Sequence, residues 1–272
     1  MKSLKESIFD NVEDIVNNDT ALIEQFLKDN YDIVGTYTIN KDGSVDVRGA
    51  AEVKNVKIES LTNGLFRFGV VGDSFVCSRC NDLKTLEGAP EKVGGFFDCS
   101  MCTNLKTLEG APEEVGGGFY CYNCLSLKSL EGAPKEVGGH FNCTYCISLK
   151  SLKGAPREVG GTFNCSSCGG LVDLKYTPNF VQNFLCSHCP NLKSLKGVPR
   201  EIGRNFWCRD CIALKSLEGA PKEVGEDFDC TGCKNLTSLE GAPDKVGGCL
   251  RCGDCINLEI TDLDRKKYEI EQ

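Results

Sequence analysis

The 272-residue sequence has little of several things that common functions require. It contains two histidines, two methionines and one tryptophan. No apolar run approaches the roughly 18 residues that a membrane-spanning helix needs, so we expect no membrane-spanning segment. Basic residues are in the minority, with 31 Lys and Arg against 39 Asp and Glu and a formal net charge of −8. Because contacts to phosphates need a basic surface, we expect no nucleic-acid partner and no membrane partner.

The first residues also lack the features of a secretory signal. The stretch MKSLKESIFDNVEDIVNN alternates charged and apolar residues and contains no continuous apolar segment. We therefore expect the protein to be cytoplasmic, where thiols stay reduced. The sequence has 19 cysteines, and an odd number cannot pair completely within one chain. A complete disulfide framework is accordingly not expected.

Cysteine and glycine are abundant, and the cysteines recur at a fixed interval in pairs separated by two residues. The first members of the pairs are Cys77, Cys99, Cys121, Cys143, Cys165, Cys186, Cys208, Cys230 and Cys252. Every step is 22 residues except the 21-residue step from Cys165 to Cys186. In that irregular unit Tyr176 replaces the usual turn glycine, and we expect a local change of curvature there. A fixed period in the twenties predicts a solenoid, in which each unit buries its apolar face against its neighbours.

The order of residues within one unit predicts which side chains are buried. In GGFFDCSMC, Phe97 and Cys99 alternate with Asp98 and Ser100, which is typical of a short half-buried strand. Stacked strands of this kind would form a parallel sheet. The predicted buried columns of this unit are Phe97, Cys99, Cys102, Leu105, Leu108 and Val115.

The repeat resembles the leucine-rich repeat family, in particular the short type found in bacterial and bacteriophage proteins. The residues that match the family pattern are Val115, Phe119, Cys121, Cys124, Leu127 and Leu130. Two departures are a first gap that is one residue longer and an extra residue between Cys124 and Leu127. The resemblance implies a repeat solenoid with a parallel β-sheet on the concave face, a mostly irregular convex side and an α-helical N-terminal cap.

These patterns divide the chain into three parts. Residues 1–44 are predicted to form a helical and hairpin cap, because residues 3–17 and 20–29 both have apolar residues at helical spacing. A strand–turn–strand pattern follows, with the turn at Lys41-Asp42-Gly43. Residues 45–260 are predicted to form the solenoid of about nine 22-residue repeats, and residues 261–272 a charged C-terminal tail.

The cysteine pairs allow two interpretations. Cys102 and Cys121 are separated by 18 residues, so two adjacent pairs match a zinc-binding pattern. Against zinc, the flanking phenylalanine and leucine columns explain the cysteines as small core residues. We favour packing and predict no metal site, with cysteine-based zinc binding or sequestration as the alternative. Cys249 stands apart, because it occupies an outward strand position.

A binding site is expected where the repeats differ from each other. The outward strand positions vary most, and they include both histidines and the single tryptophan. The candidate partner-binding residues are Phe96, Tyr120, Tyr122, His140, Tyr145, His188, Trp207 and Arg209. Tyrosine, tryptophan and arginine are the residue types most enriched at the energetic centres of interfaces. The pattern therefore predicts a protein partner on the concave face.

Catalytic motifs are absent from the sequence. It has no phosphate-binding loop, nucleophile elbow or acid pair, and His140 and His188 lie about two repeats apart. We therefore expect a non-enzymatic, monomeric interaction protein without a cofactor. Given the resemblance, its partner would be a host factor, and its location the host cytoplasm if the protein is encoded by a phage.

Overall fold

A computed structural model describes residues 19–271 of the chain. They form a parallel β-solenoid of about 10 turns with few helices. A helix covers residues 19–30, and a second helix covers Asp262–Lys267 near the C-terminus. The helix predicted for residues 3–17 lies outside the described residues. Within the described part, no helix has the length and apolar character to cross a membrane.

The first sheet has twelve strands and contains the Phe-x-Cys segment of every coil. Its strands are Tyr31–Ile33, Ala51–Val53, Phe75–Val76, Phe97–Asp98, Phe119–Tyr120, Phe141–Asn142, Thr162–Asn164, Asn183–Leu185, Phe206–Trp207, Phe228–Asp229, Cys249–Arg251 and Glu269–Glu271. All neighbours are parallel except the first pair, in which Tyr31 lies opposite Val53. The register sets phenylalanine against phenylalanine, as with Phe119 and Phe141.

Outside the first sheet most of each coil is irregular, but most coils also contribute a short strand on the opposite side, which the prediction did not include. The seven strands of the first part are Tyr37–Ile39, Ser44–Val47, Arg67–Val71, Lys92–Val93, Glu114–Val115, Glu136–Val137 and Glu158–Val159. A separate three-stranded part comprises Glu201–Ile202, Glu223–Val224 and Lys245–Val246. We call the two parts the second sheet. The sequence did not predict the second sheet because a two-residue strand is too short to show an alternating pattern.

The core is a set of parallel columns, one residue from each coil. Adjacent phenylalanine rings stack from Phe75 to Phe228, for example Phe119 on Phe141 with centroids 5.3 Å apart and planes 5° apart. The leucine and valine columns are buried beside them, as predicted. A ring that stacks on both neighbours cannot be buried by one coil alone, so the coils depend on each other for stability.

Both ends of the columns are covered. At the N-terminal end, Ile23 and Leu27 of the helix are buried in the core, and Tyr31 contacts Phe68 and Phe75. The predicted hairpin is present, with Tyr37 opposite Val47. At the C-terminal end, the segment predicted as a charged tail forms a helix and the last strand. The hydroxyl of Tyr268 there donates to the Pro243 carbonyl at 2.6 Å.

The 21-residue unit interrupts the second sheet. Its segment makes only an isolated bridge, from Phe180 to Glu158, and the sheet resumes at Glu201. The first sheet continues without a break, because Phe184 still pairs with Phe163. The missing residue is therefore absorbed between Val181 and Phe184, on the stretch that joins the two sheets.

Candidate functional site

The cysteine pairs are part of the core. Every repeat cysteine is buried as a free thiol, and Cys249 alone is partly exposed among the cysteines. From the second pair onward, the second thiol donates to the carbonyl oxygen of the first cysteine in the preceding coil, whereas Cys80 of the first pair donates to the Ser78 carbonyl in its own coil. Examples are Cys102 to Cys77 at 3.1 Å and Cys124 to Cys99 at 3.3 Å. The column of thiols thus hydrogen-bonds to the backbone of the neighbouring coil as well as filling space.

The pKa of most of these thiols is raised by burial and by contacts between neighbouring thiols, whereas the pKa of Cys146 and that of Cys255 are lowered, chiefly by hydrogen bonds with Cys121 and Cys230. Burial raises the pKa of Cys80 to about 12 and that of Cys186 to about 11, because the interior disfavours the charged thiolate. The pKa of Cys249 is raised as well, chiefly through a hydrogen bond with the Glu271 side chain. A raised pKa leaves the thiol protonated and poorly nucleophilic, so the arrangement does not favour cysteine catalysis.

Zinc binding would require several ligands directed at one point. Within residues 19–271, no group of three or more His, Cys, Asp or Glu side chains is arranged to hold a metal ion. The strand keeps the first thiol of a pair in one column, and the turn places the second thiol beside the preceding coil. Two core columns, one for each cysteine of a pair, produce the same spacing as the zinc pattern.

The predicted binding residues lie on the solvent side of the first sheet or in the turn that follows each strand. We call this surface the outer face. Phe96 and Tyr120 are in contact there, with ring centroids 6.0 Å apart in an edge arrangement. Tyr122 lines a cavity of about 420 Å³ with Arg79, Asp98 and other residues. The structure thus brings two of the predicted aromatics into direct contact.

Trp207 and Arg209 form a second cluster with Asp229. The guanidinium of Arg209 lies 4.6 Å from the centre of the Trp207 ring. Two nitrogens of the same guanidinium contact one carboxylate oxygen of Asp229, at 2.6 and 2.7 Å. The Asp229 side chain is only 1% exposed, and its other carboxylate oxygen accepts a hydrogen bond from the backbone N–H of Thr231 at 2.9 Å. The guanidinium is therefore held over the indole ring on the outer face.

The remaining predicted residues lie singly. The backbone N–H of Thr162 donates to Nδ1 of His140 at 3.0 Å, and Nδ1 of His188 lies 3.4 Å from the Asp210 carboxylate. Tyr145 is 59% exposed and has no side-chain hydrogen bond within the described residues. These three residues and the two clusters are spread along the outer face and do not form one compact site.

The structure adds a feature that the prediction missed. The residue before the second cysteine of each pair adopts a left-handed conformation, with φ between 53° and 72°. We call these positions the turn column: Arg79, Met101, Asn123, Tyr145, Ser167, His188, Asp210, Gly232 and Asp254. Asparagine, aspartate and glycine tolerate this conformation, and their presence at four of the nine positions was the signal that could have revealed it.

Comparisons with protein-family models, with curated proteins and with solved structures give no match. The resemblance to leucine-rich repeats accordingly depends on the sequence pattern alone.

Proposed function

We propose that this chain is a non-enzymatic interaction module that binds a protein partner through the outer face. The observation that carries the proposal is the strain in the turn column. A left-handed conformation costs roughly 1–2 kcal/mol for a residue with a side chain such as tyrosine. Tyr145 adopts it with φ 58° while 59% of the residue is exposed. The left-handed turn recurs in every coil, so what distinguishes Tyr145 is that a large exposed ring occupies this strained position on the outer face, as is common at functional sites.

The two clusters support the same proposal. Phe96 and Tyr120 offer adjacent rings, and Trp207 offers a ring to which an arginine is already fixed. Anchors held in one conformation lose little entropy when a partner binds. Aromatic and arginine side chains also supply large contact areas with a polar end, which suits a protein partner.

The resemblance to short bacterial and bacteriophage leucine-rich repeats extends the proposal to the biological setting. We propose that the outer face corresponds to the concave surface with which that family commonly binds its partners. The protein would then act as a cytoplasmic monomer on a host factor. This part of the proposal is supported by the repeat pattern alone.

The proposal is tested by separating binding from stability at Tyr145. Tyr145→Asn removes the ring but places a residue there that tolerates the left-handed conformation, so stability should hold or rise. Partner capture by the purified protein, followed by mass spectrometry, should lose the wild-type partner with this variant. A Tyr120→Ala, Tyr122→Ala, Trp207→Ala triple variant should lose it as well.

The matched control is Tyr176→Gly. Tyr176 is also left-handed, with φ 69°, and is 60% exposed, but it lies on the return segment away from the outer face. Its substitution should leave the partner bound. A partner retained equally by wild type, Tyr145→Asn and the triple variant would show that the outer face is not the binding surface.

A further inference from the structure

A groove of about 870 Å³ runs along the solvent side of the second sheet. It crosses the stacked coils from Val70 to Phe180, on the other side of the solenoid from the outer face. Exposed glycines and charged side chains line it, with the half-exposed Val70 and Phe180 at its two ends, whereas the strand valines between them are buried in the core. Its lining includes Lys92, Glu114, Glu136, Gly138, Glu158 and Phe180.

Packing between coils keeps the groove open. Along the groove a glycine follows the strand valine, as with Gly94, Gly116 and Gly138, and these glycines are exposed. A Cβ atom added to Gly138 would lie 2.1 Å from the carbonyl oxygen of Gly116 in the preceding coil. No larger residue fits there without separating the coils, so no side chain fills the groove from these positions.

The charge along the groove is incompletely balanced. Glu114, Glu136 and Glu158 are in register on adjacent strands, about 4.8 Å apart. Lys92 compensates Glu114 at 2.9 Å. Within the described residues, Glu136 and Glu158 make no ion pair, although Lys135 and Arg157 are their neighbours in sequence. Like charges directly opposite each other in a sheet are destabilising, so a cation placed between them would be favoured.

The irregular coil limits the groove at one end. Phe180 forms an isolated bridge to Glu158 and is 48% exposed, so it presents an apolar surface where the seven-stranded part of the second sheet stops. A ligand that fits this groove is therefore elongated, cationic opposite Glu136 and Glu158, and apolar where it meets Phe180.

We propose that the groove binds an extended peptide segment of a partner protein that carries at least two lysine or arginine residues. About five coil spacings give a length of roughly 24 Å, which an extended segment of about seven residues spans. Its basic side chains pair with Glu136 and Glu158, and its apolar residues lie over the exposed glycines and against Phe180. This site is independent of the outer face, so either proposal can fail without the other.

The test uses a fluorescently labelled heptapeptide, GKVKVGS, and its uncharged counterpart, GQVQVGS, with the full-length protein. Fluorescence anisotropy should show binding of the lysine peptide that weakens as salt increases. A Glu136→Gln, Glu158→Gln double variant should weaken that binding by about tenfold, because two exposed charge pairs are lost. Phe180→Ser should weaken it by a smaller factor.

The matched control is the double variant Glu201→Gln, Glu223→Gln. These residues occupy the same repeat position in the three-stranded part, beyond the groove. The control removes the same net charge and should leave binding within about twofold of the wild type. The proposal is overturned if the lysine peptide does not bind at millimolar protein, if both peptides bind equally, or if the two double variants weaken binding equally.

Discussion

The inward and outward side chains of the first sheet follow different rules. Phe119 and Phe141 face inward on adjacent strands and stack in the same geometry as their neighbours above and below. The outward residues next to them differ, because Tyr120 is aromatic and Asn142 is an amide. Because one strand holds both sets, the inward set can specify the fold while the outward set changes freely. The fold and the proposed binding function are therefore separable by substitution.

The largest expected effect is a loss of stability at alkaline pH, caused by the inward thiols. Burial raises the pKa of Cys77, Cys99 and Cys165, so these folded thiols keep their protons above the ordinary value of about 8.5. The unfolded chain binds fewer protons there, so stability is full below about pH 8.5 and falls as pH rises. Above that pH each such thiol lowers the free energy of unfolding by about 1.4 kcal/mol per pH unit.

The measurement is the denaturant midpoint from pH 7 to pH 10 under reducing conditions. A Cys99→Val variant, with one thiol fewer, should show a shallower fall. A midpoint that stays constant to pH 10 would contradict the account of the thiols as buried and protonated.

Paired substitutions in one strand compare the two faces directly. Phe119→Ala removes a ring that stacks on both neighbours and should lower the free energy of unfolding by about 3–5 kcal/mol. Tyr120→Ala, at the next residue, should lower it by no more than about 1 kcal/mol. Urea unfolding followed by circular dichroism measures both. Equal losses would show that the outward residues also specify the fold.

The second thiol of a pair should stabilise the fold through its hydrogen bond as well as through packing. Cys124→Ala removes the donor to the Cys99 carbonyl and should cost about 2 kcal/mol, because a buried acceptor is left unsatisfied. Cys124→Ser keeps a donor at the same place and should cost less. The comparison is made by urea unfolding at pH 7, and a serine variant that is less stable than the alanine variant would refute the hydrogen-bond role.

The smallest expected effect is a gain in stability. Tyr176 has φ 69° where other coils have glycine, for example Gly154 with φ 88°. Tyr176→Gly removes this strain and should raise the free energy of unfolding by about 0.5–1 kcal/mol, the gain being reduced by the greater freedom of glycine in the unfolded chain. Thermal unfolding detects it as a higher midpoint. A lower midpoint would mean that the tyrosine ring contributes to the fold.

The repeat made the inward half of this structure predictable. Phe97, Cys99 and Leu105 recur at one period, and a recurring apolar residue has to be stacked in a solenoid. The hydrogen bond of the second thiol was not predictable, because it depends on which way a turn points the sulfur. The second sheet escaped prediction for a related reason, since a strand such as Glu136–Val137 is defined by its neighbouring coils.

The candidate surface was predictable only as a set of positions. Sequence variation located Trp207 and Arg209 on the outer face, but their stacking depends on Asp229, which lies one coil further on. The strain at Tyr145 is a property of the backbone and appears in the sequence only through the asparagine and aspartate residues elsewhere in the turn column.

The central claim is that the thiols are reduced core residues which bind each neighbouring coil without a metal. Native mass spectrometry of the protein purified without reductant or chelator tests this most directly. Each bound metal would add its mass, and each disulfide would remove two hydrogens. We predict the mass of the bare chain with all 19 thiols protonated. A folded protein that carries several metal ions, or that lacks hydrogens in pairs, would contradict the account.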